Sequence, residues 1–318
     1  MSKIKQPKVT VIGAGNVGAT TAQRITEKNI ADVVLVDVAS GIATGKALDL
    51  VEAAPVELHD RKIIGGGDYS PTAGSDVVVI TAGIARKPGM SRDDLLKTNA
   101  NIVGSVAKEA LKYSPEAVFV VVSNPLDVMT YLTKQVTGLP PQKVIGMAGV
   151  LDSARMRFFI AEALNVSVQD VTAFVLGGHG DSMVPLARYS SVAGIPLTSL
   201  LSAEKIEEIN TRTRNGGIEV VNHLQTGSAF YAPASSTCEM VDSIIRNRKR
   251  VLPCCAYLTG QYGIKDVYVG VPVKLGSDGI EEIFEIDLTD AELAELTKSA
   301  NDVKENIKKM NDLISAAV

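Results

Sequence analysis

Cysteine is scarce in this chain of 318 residues. The three present, Cys238, Cys254 and Cys255, are odd in number and two are adjacent, which does not make a disulfide framework. No CxxC or nearby Cys/His pair occurs, so a zinc site is excluded as well. The thiols read as buried or idle groups in a reducing compartment. Long apolar runs are also missing. The most apolar stretches, 77–80 and 118–122, fall far short of the roughly 20 residues that cross a bilayer, so a membrane partner is not expected. The first eight residues are polar and basic and lead straight into an apolar strand, with no signal-peptide core. A cytoplasmic location is the expectation. Nor is there an excess of positive charge: 32 Lys and Arg face 36 Asp and Glu, for a net −4. With a pI near 5.5 and no long basic run, a general nucleic-acid partner is excluded. Histidine is scarcest in its consequences. Only His59, His179 and His223 are present, so any imidazole chemistry uses one of three residues.

What is present suits a large globular protein. The apolar fraction is 46%, too high for a disordered chain, and the length corresponds to about two domains. The first half alternates short, β-branched apolar runs at 9–12, 33–36, 62–64, 77–80, 118–122 and 144–145 with helical patterns at 18–28, 42–53, 99–113 and 128–135. Unalternated apolar strands separated by helices predict a parallel sheet covered on both faces. The second half changes pattern. A helix is expected at about 151–164, a strand at 171–176, and a long helical stretch from 203 to about 246, kinked or broken at Gly216-Gly217. Strands at 250–257 and 267–275 follow, then a helix capped by Thr289 or Asp290 and running to about 315. No repeats or low-complexity linkers interrupt the chain. The boundary near 148–150 is a change of pattern.

The first strand runs into Gly13-Ala14-Gly15-Asn16-Val17-Gly18, a GxGxxG turn placed between a strand and a helix. Gly13 permits the tight turn, Gly15 lets backbone approach a pyrophosphate, and Gly18 lets helix and strand pack closely. The phosphates would lie at the helix N-terminus, where unpaired N–H groups and the helix dipole favour negative charge. Asp37 follows Gly18 by 19 residues, at the end of the second strand. A carboxylate there accepts hydrogen bonds from ribose hydroxyls and repels a 2′-phosphate, so the expected cofactor is NAD. The other reading of Asp37 is a helix N-cap. The fold class is therefore α/β: a Rossmann-type doubly wound parallel sheet over 1–149, followed by a second, α+β domain over 150–318. A Rossmann fold does not fix the reaction. One alternative chemistry uses a Tyr-xxx-Lys pair, and none of the eight tyrosines has Lys four residues on.

Four segments carry candidate chemistry. Residues 81–94 begin at a strand's end, and Gly83, Pro88 and Gly89 make them a loop holding Arg86 and Arg92. Paired arginines suit a bidentate grip on a carboxylate under a closing lid. From this segment alone a solvated basic loop fits as well. In Ser123-Asn124-Pro125, Asn124 would project from another strand end, able to bond a hydroxyl or the carbonyl it becomes; an Asx-type turn before Pro125 also fits. Asp152 and Arg155 share a helix face, which read alone is a surface ion pair. His179, in Gly177-Gly178-His179-Gly180, sits at a strand end where glycines let a ligand approach, and imidazole is the side chain best suited to exchange a proton near neutral pH. His59 and His223 read as structural or solvent-facing.

The ordered set GAGNVG, TAGIARKPGMSR, SNPLDVMT, GVLDSARMRFF and LGGHGDSMVP resembles the lactate/malate dehydrogenase family over essentially the whole chain, in particular its bacterial, lactate dehydrogenase-like malate dehydrogenases. The resemblance implies roles residue by residue. His179 would be the acid–base, with Asp152 holding its other ring nitrogen. Arg155 would clamp the substrate's C1 carboxylate. Arg92 would polarise the carbonyl, and Asn124 would orient its oxygen near the nicotinamide. Asn99 and the backbone of Val122, Ser123 and Asn124 match family cofactor contacts. The implied catalytic set is His179, Asp152 and Arg92, and the implied substrate set is Arg86, Arg92, Asn124 and Arg155.

Within the family the position six before the loop arginine carries Arg in malate enzymes and usually Gln in lactate enzymes; here it is Arg86. The physical logic is charge matching. Oxaloacetate brings a second carboxylate, whereas pyruvate would leave Arg86 buried and unpaired. A dry charge-assisted contact of ~3–5 kcal/mol discriminates by on the order of 10²–10³ or more. Small Ala229, where lactate enzymes tend to carry Thr, agrees. The resemblance thus implies a reversible NAD-dependent malate dehydrogenase of the tricarboxylic acid cycle, with EC 1.1.1.37 activity and no metal. Lactate dehydrogenase is the same-family alternative, and a catalytically silent NAD-binding protein is the alternative of another class. Family members are dimers or tetramers, and a homotetramer is the expectation.

Overall fold

The computed structural model describes residues 6–85 and 90–315. The first half contains β1 (Lys8–Ile12), α1 (Asn16–Glu27), β2 (Asp32–Val36), α2 (Ser40–Glu57), β3 (Ile63–Gly66) and β4 (Val77–Ile80). These are followed by α3 (Arg92–Tyr113), β5 (Val118–Val121), α4 (Leu126–Thr137) and β6 (Val144–Gly146). Their strands lie in the order β3-β2-β1-β4-β5-β6, all parallel. This is the doubly wound order, with its topological switch between β1 and β4. Every residue of β4 and β5 is buried, as the unalternated valine-rich runs require of strands covered on both faces.

The second half begins with α5 (Ala148–Leu164), β7 (Val171–Gly177), β8 (Met183–Val192), β9 (Ile195–Pro196), α6 (Leu197–Leu200), α7 (Ala203–Leu224) and α8 (Tyr231–Ile245). It ends with β10 (Arg250–Thr259), β11 (Lys265–Gly276), β12 (Gly279–Ile283) and α9 (Asp290–Ser315). Its strands are antiparallel, and β10 joins them to the parallel sheet where Cys255 pairs with Gly146 of β6. A Cβ on Gly146 would stand 2.7 Å from the Cβ of Cys255, so only glycine permits this approach. All three cysteines are free and buried. Burial pushes the Cys238 thiol up to about 11 and raises Cys254 and Cys255 further, which leaves them unreactive.

Several boundaries depart from the sequence reading. Helix α3 starts at Arg92, not Asn99, because Ser91 forms a capping box with Asp94 inside what reads as a loop. Strand β8 was not expected; its run Met-Val-Pro-Leu-Ala-Arg-Tyr-Ser-Ser-Val has no clean alternation. The largest difference is in α7, which runs unbroken through Gly216-Gly217 and stops only at Leu224. The break before α8 falls instead at Gln225 and Gly227, both with positive φ. A glycine in a helix interior costs about 1 kcal/mol relative to alanine, so two adjacent ones need a reason outside the backbone.

Candidate active site

The C-terminal ends of β1, β4 and β5 open onto one crevice at the switch point, where ligands bind in open α/β sheets. At the end of β1, Gly13 has φ +104°, and a Cβ there would strike the Thr81 hydroxyl and the Ala82 backbone. A Cβ on Gly18 would come within 1.8 Å of the Gly13 carbonyl oxygen, so α1 reaches this position only with glycine. Gly15 differs. Apart from its chain neighbours, no atom of the described residues lies within 4 Å of its missing Cβ, so the space there is open. Helix α1, which begins at Asn16, has no side-chain cap and no acidic residue in its first turn. Its first N–H groups are left for an anion. Asp37 accepts hydrogen bonds from the Ala14 N–H at 2.6 Å and the Ala39 N–H at 2.9 Å. It therefore ties the glycine turn to the start of α2, where Ala39 and not Asp37 is the N-cap. Lys46, which sequence reasoning missed, braces the same turn by donating to the Ala14 carbonyl at 2.8 Å. A bare helix N-terminus, an open face at Gly15 and a carboxylate beside the turn together fit a dinucleotide.

The opposite wall comes from the loops after β4 and β5. Asn99 is buried in α3, and its amide accepts from the Ile84 N–H at 2.8 Å and donates to the carbonyls of Ile84 at 3.1 Å and Asn124 at 2.8 Å. Its bonds thus join the two loops. Ser123 donates to the Ala82 carbonyl at 2.6 Å and closes the same seam above buried Val122. Asn124 is exposed at the strand end, with its side chain free of hydrogen bonds to other described residues, so no Asx turn forms. Arg92 is exposed in the first turn of α3 and makes no hydrogen bond or ion pair with His179, Asp152 or Arg155. Arg86 lies outside the described residues.

Of the candidate site residues, the fold brings together His179, Asp152 and Arg155. Asp152 and Arg155 stand one turn apart on α5, while His179 follows β7. The His179 Nδ1 lies 2.9 Å from Oδ2 of Asp152, and the Arg155 guanidinium lies 3.4 Å from Oδ1. Asp152 has only 2% of its side chain exposed, and one buried carboxylate therefore serves two cations or donors. His179 keeps 16% exposure, enough for a ligand to reach its free ring nitrogen. Burial presses the His179 imidazolium down, but the charge and hydrogen bond of Asp152, helped by the charge of Asp127, outweigh it and raise the pKa above the ordinary histidine value. Burial lowers the Arg155 pKa, against the opposing pull of Asp152. A cavity of about 340 Å³ opens beside Arg155, with Gly216, His223 and Ala229 in its walls.

The backbone of the histidine loop is held by residues that sequence reading did not single out. Asp127, buried in the first turn of α4, accepts from the His179 N–H at 2.9 Å and from the Cys255 thiol at 3.0 Å. Burial pushes its carboxyl up, and those two hydrogen bonds pull it back in part. Ser299, on α9, accepts from the Gly178 N–H at 2.7 Å. Asp127 stands in the same motif as Asn124, but nothing in the sequence aims it at a loop 52 residues away. His59 is buried, and its Nδ1 accepts from the Arg61 N–H, a structural role as expected. Among the described residues no cluster of three or more His, Cys, Asp or Glu side chains could hold a metal, and no helix is long and apolar enough to cross a membrane.

A glycine turn at a bare helix end of a doubly wound sheet, in a chain that also carries a buried Asp–His pair, has the parts of a nicotinamide-dinucleotide dehydrogenase. The comparisons with known proteins make the class specific. Residues 7–146 match the lactate/malate dehydrogenase NAD binding domain, and residues 149–314 match the lactate/malate dehydrogenase alpha/beta C-terminal domain. The chain belongs to the lactate/malate dehydrogenase family, and its cofactor is NAD. It is 60% identical over 308 residues to a protein named malate dehydrogenase from Chloroherpeton thalassium, covering 96% of this chain and 99% of that one. Among solved structures, malate dehydrogenase from Salinibacter ruber superposes with a TM-score of 0.94 at 48% identity, covering 98% of this chain and all of the other. A lactate dehydrogenase from Cryptosporidium parvum, solved with lactic acid and the dinucleotide, superposes nearly as well, with a TM-score of 0.93 at 44% identity over 97% of this chain and 99% of that one. Fold alone therefore does not separate the two substrates.

Proposed function

We propose that this chain is a reversible malate dehydrogenase that interconverts (S)-malate and oxaloacetate. The observation that carries the reading is the buried Asp152 carboxylate bound to His179 on one oxygen and Arg155 on the other. Gly13, Ala14, Gly15, Asn16, Val17 and Gly18 would hold the pyrophosphate, and Asp37 would receive the ribose hydroxyls. Asn99, Val122, Ser123 and Asn124 would form the wall toward the nicotinamide. The bound dinucleotide would supply the hydride chemistry at C2 of the substrate.

The rest is done by the chain. With Nδ1 engaged by Asp152, the Nε2 of His179 is left to take the hydroxyl proton during oxidation and to return it during reduction. Asp152 fixes the ring's tautomer and offsets the charge that the imidazolium gains. Arg155 grips the C1 carboxylate. Arg92 stabilises negative charge developing on the C2 oxygen, and Asn124 orients that oxygen. Arg86 pairs with the second carboxylate, the feature that favours oxaloacetate over pyruvate. Eight relatives at 57–60% identity carry the name malate dehydrogenase, which supports this choice.

We assign the cofactor module to residues 1–149 and the catalytic and oligomerisation module to 150–318, with the chain passing between them near the start of α5. A cytoplasmic homotetramer is the assembly we propose. The half-exposed apolar side chains Ile218, Val221 and Leu224 on α7, and the largely exposed Val56 and Leu58 at the end of α2, supply apolar area for contacts between copies. Initial rates with NADH and either oxaloacetate or pyruvate test the reading. Faster turnover of oxaloacetate is expected. A preference for pyruvate would reassign the chain to lactate, and no oxidation of NADH with either would leave an NAD-binding protein without this activity.

A further inference from the structure

We propose that Gly216 is a positioning residue for substrate binding: its missing side chain forms the slot in which Arg155 lies. The inference rests on the assignment of Arg155 to the substrate carboxylate made above. Three observations carry it.

The first is that the helix does not need the glycine. Helix α7 is continuous from Ala203 to Leu224, and neither Gly216 nor Gly217 adopts a positive φ. A residue that weakens a helix without shaping it is explained by its surroundings. The second is contact. A Cβ added to Gly216 would lie 2.9 Å from Cδ of Arg155, 3.4 Å from Nε and 3.7 Å from Cγ. Cδ is in the middle of the arginine stem, so it cannot yield without swinging the guanidinium that follows it. The third is that the guanidinium is tied on its other side to Asp152 at 3.4 Å. Arg155 is thus confined between a helix backbone and a carboxylate. A methyl group at 216 shifts the stem and so moves the head out of the position it holds against Asp152, in which a substrate carboxylate would be met. Planar bidentate recognition tolerates little such displacement.

Gly217 supplies a control within the same helix. Its added Cβ would stand 3.7 Å and 3.8 Å from the two terminal nitrogens of Arg155, which is ordinary contact. Alanine is therefore accommodated at 217 and not at 216.

The test compares Gly216→Ala, Gly217→Ala, Arg155→Leu and the Gly216→Ala/Arg155→Leu double variant in oxaloacetate reduction, with NADH binding followed by fluorescence and Tm recorded for each. Gly216→Ala is expected to raise KM for oxaloacetate by about tenfold or more, with NADH affinity unchanged and Tm not lowered. Gly217→Ala is expected to stay within about twofold of the parent KM. In the Arg155→Leu background Gly216→Ala is expected to cost nothing further in kcat/KM, because the group it displaces is gone. An unchanged KM in Gly216→Ala overturns the inference. So does a loss shared with NADH binding and Tm, or a full additional loss in the double variant. A parent-like KM in Arg155→Leu overturns the assignment of Arg155 itself, and this inference with it, and is recognised by that single variant alone.

Discussion

One oxygen of Asp152 lies 2.9 Å from Nδ1 of His179, and the carboxylate that makes this contact is almost wholly buried. The pair sets both the orientation of the ring and its proton affinity. Asp152→Asn keeps the volume but removes the charge and presents an amide that can stabilise the wrong tautomer. The expected loss in kcat is on the order of 10²–10⁴, as for other histidine–carboxylate pairs. The pH profile carries a second signature. With His179 as the proposed proton donor in reduction, lowering its pKa is expected to move the alkaline limb of oxaloacetate reduction to lower pH. A kcat near that of the parent, with an unmoved limb, contradicts the role.

The same pair links pH to stability. His179 has a pKa raised in the folded state. Such a group contributes stability that is fully present below its unfolded pKa, about 6.5, and is lost as pH rises through the higher folded value. Urea unfolding of the parent and of His179→Gln is therefore expected to show the parent's advantage greatest below the unfolded pKa and shrinking as pH rises through the raised folded value. A difference that grows with pH contradicts this sign.

Asp127 holds the histidine loop from behind, bonded to the His179 N–H and the Cys255 thiol. Asp127→Ala leaves a buried N–H without its acceptor, at a cost of about 1–3 kcal/mol. A lowered Tm is expected, while Asp127→Asn, which keeps an acceptor oxygen for that N–H, loses less. Equal Tm for the parent and Asp127→Ala would show that the loop is held by Ser299 and its other contacts alone.

Asp37 stands against the glycine turn through the Ala14 N–H. Its carboxylate repels a 2′-phosphate, so Asp37→Ser is expected to raise the ratio of kcat/KM for NADPH over NADH by about tenfold or more. An unchanged ratio would remove Asp37 from cofactor selection.

Much of this was legible in the sequence, and the missing parts share a physical cause. Gly13, Gly15 and Gly18 were readable because a turn's needs are local, and the parallel strands because burial on both faces leaves runs such as 77–80 without polar residues. His179 stood out through its flanking glycines. Contacts between distant segments were not readable. Gly216-Gly217 read as a helix break because local propensity says so, and the arginine stem that occupies the space comes from α5. Asp127 and Ser299 brace the His179 loop from α4 and α9, with no pattern near the loop to announce them. The start of α3 at Arg92 was hidden by a glycine- and proline-rich approach, although Ser91 and Asp94 formed a legible capping box.

Preference for a dicarboxylate rests on Arg86. It is read in the ratio of kcat/KM for oxaloacetate to that for pyruvate, measured in the parent and in Arg86→Gln. The ratio is expected to stand well above one in the parent and to fall by on the order of 10²–10³ in the variant as oxaloacetate turnover drops and pyruvate turnover rises. A ratio that does not move between the two enzymes would contradict it.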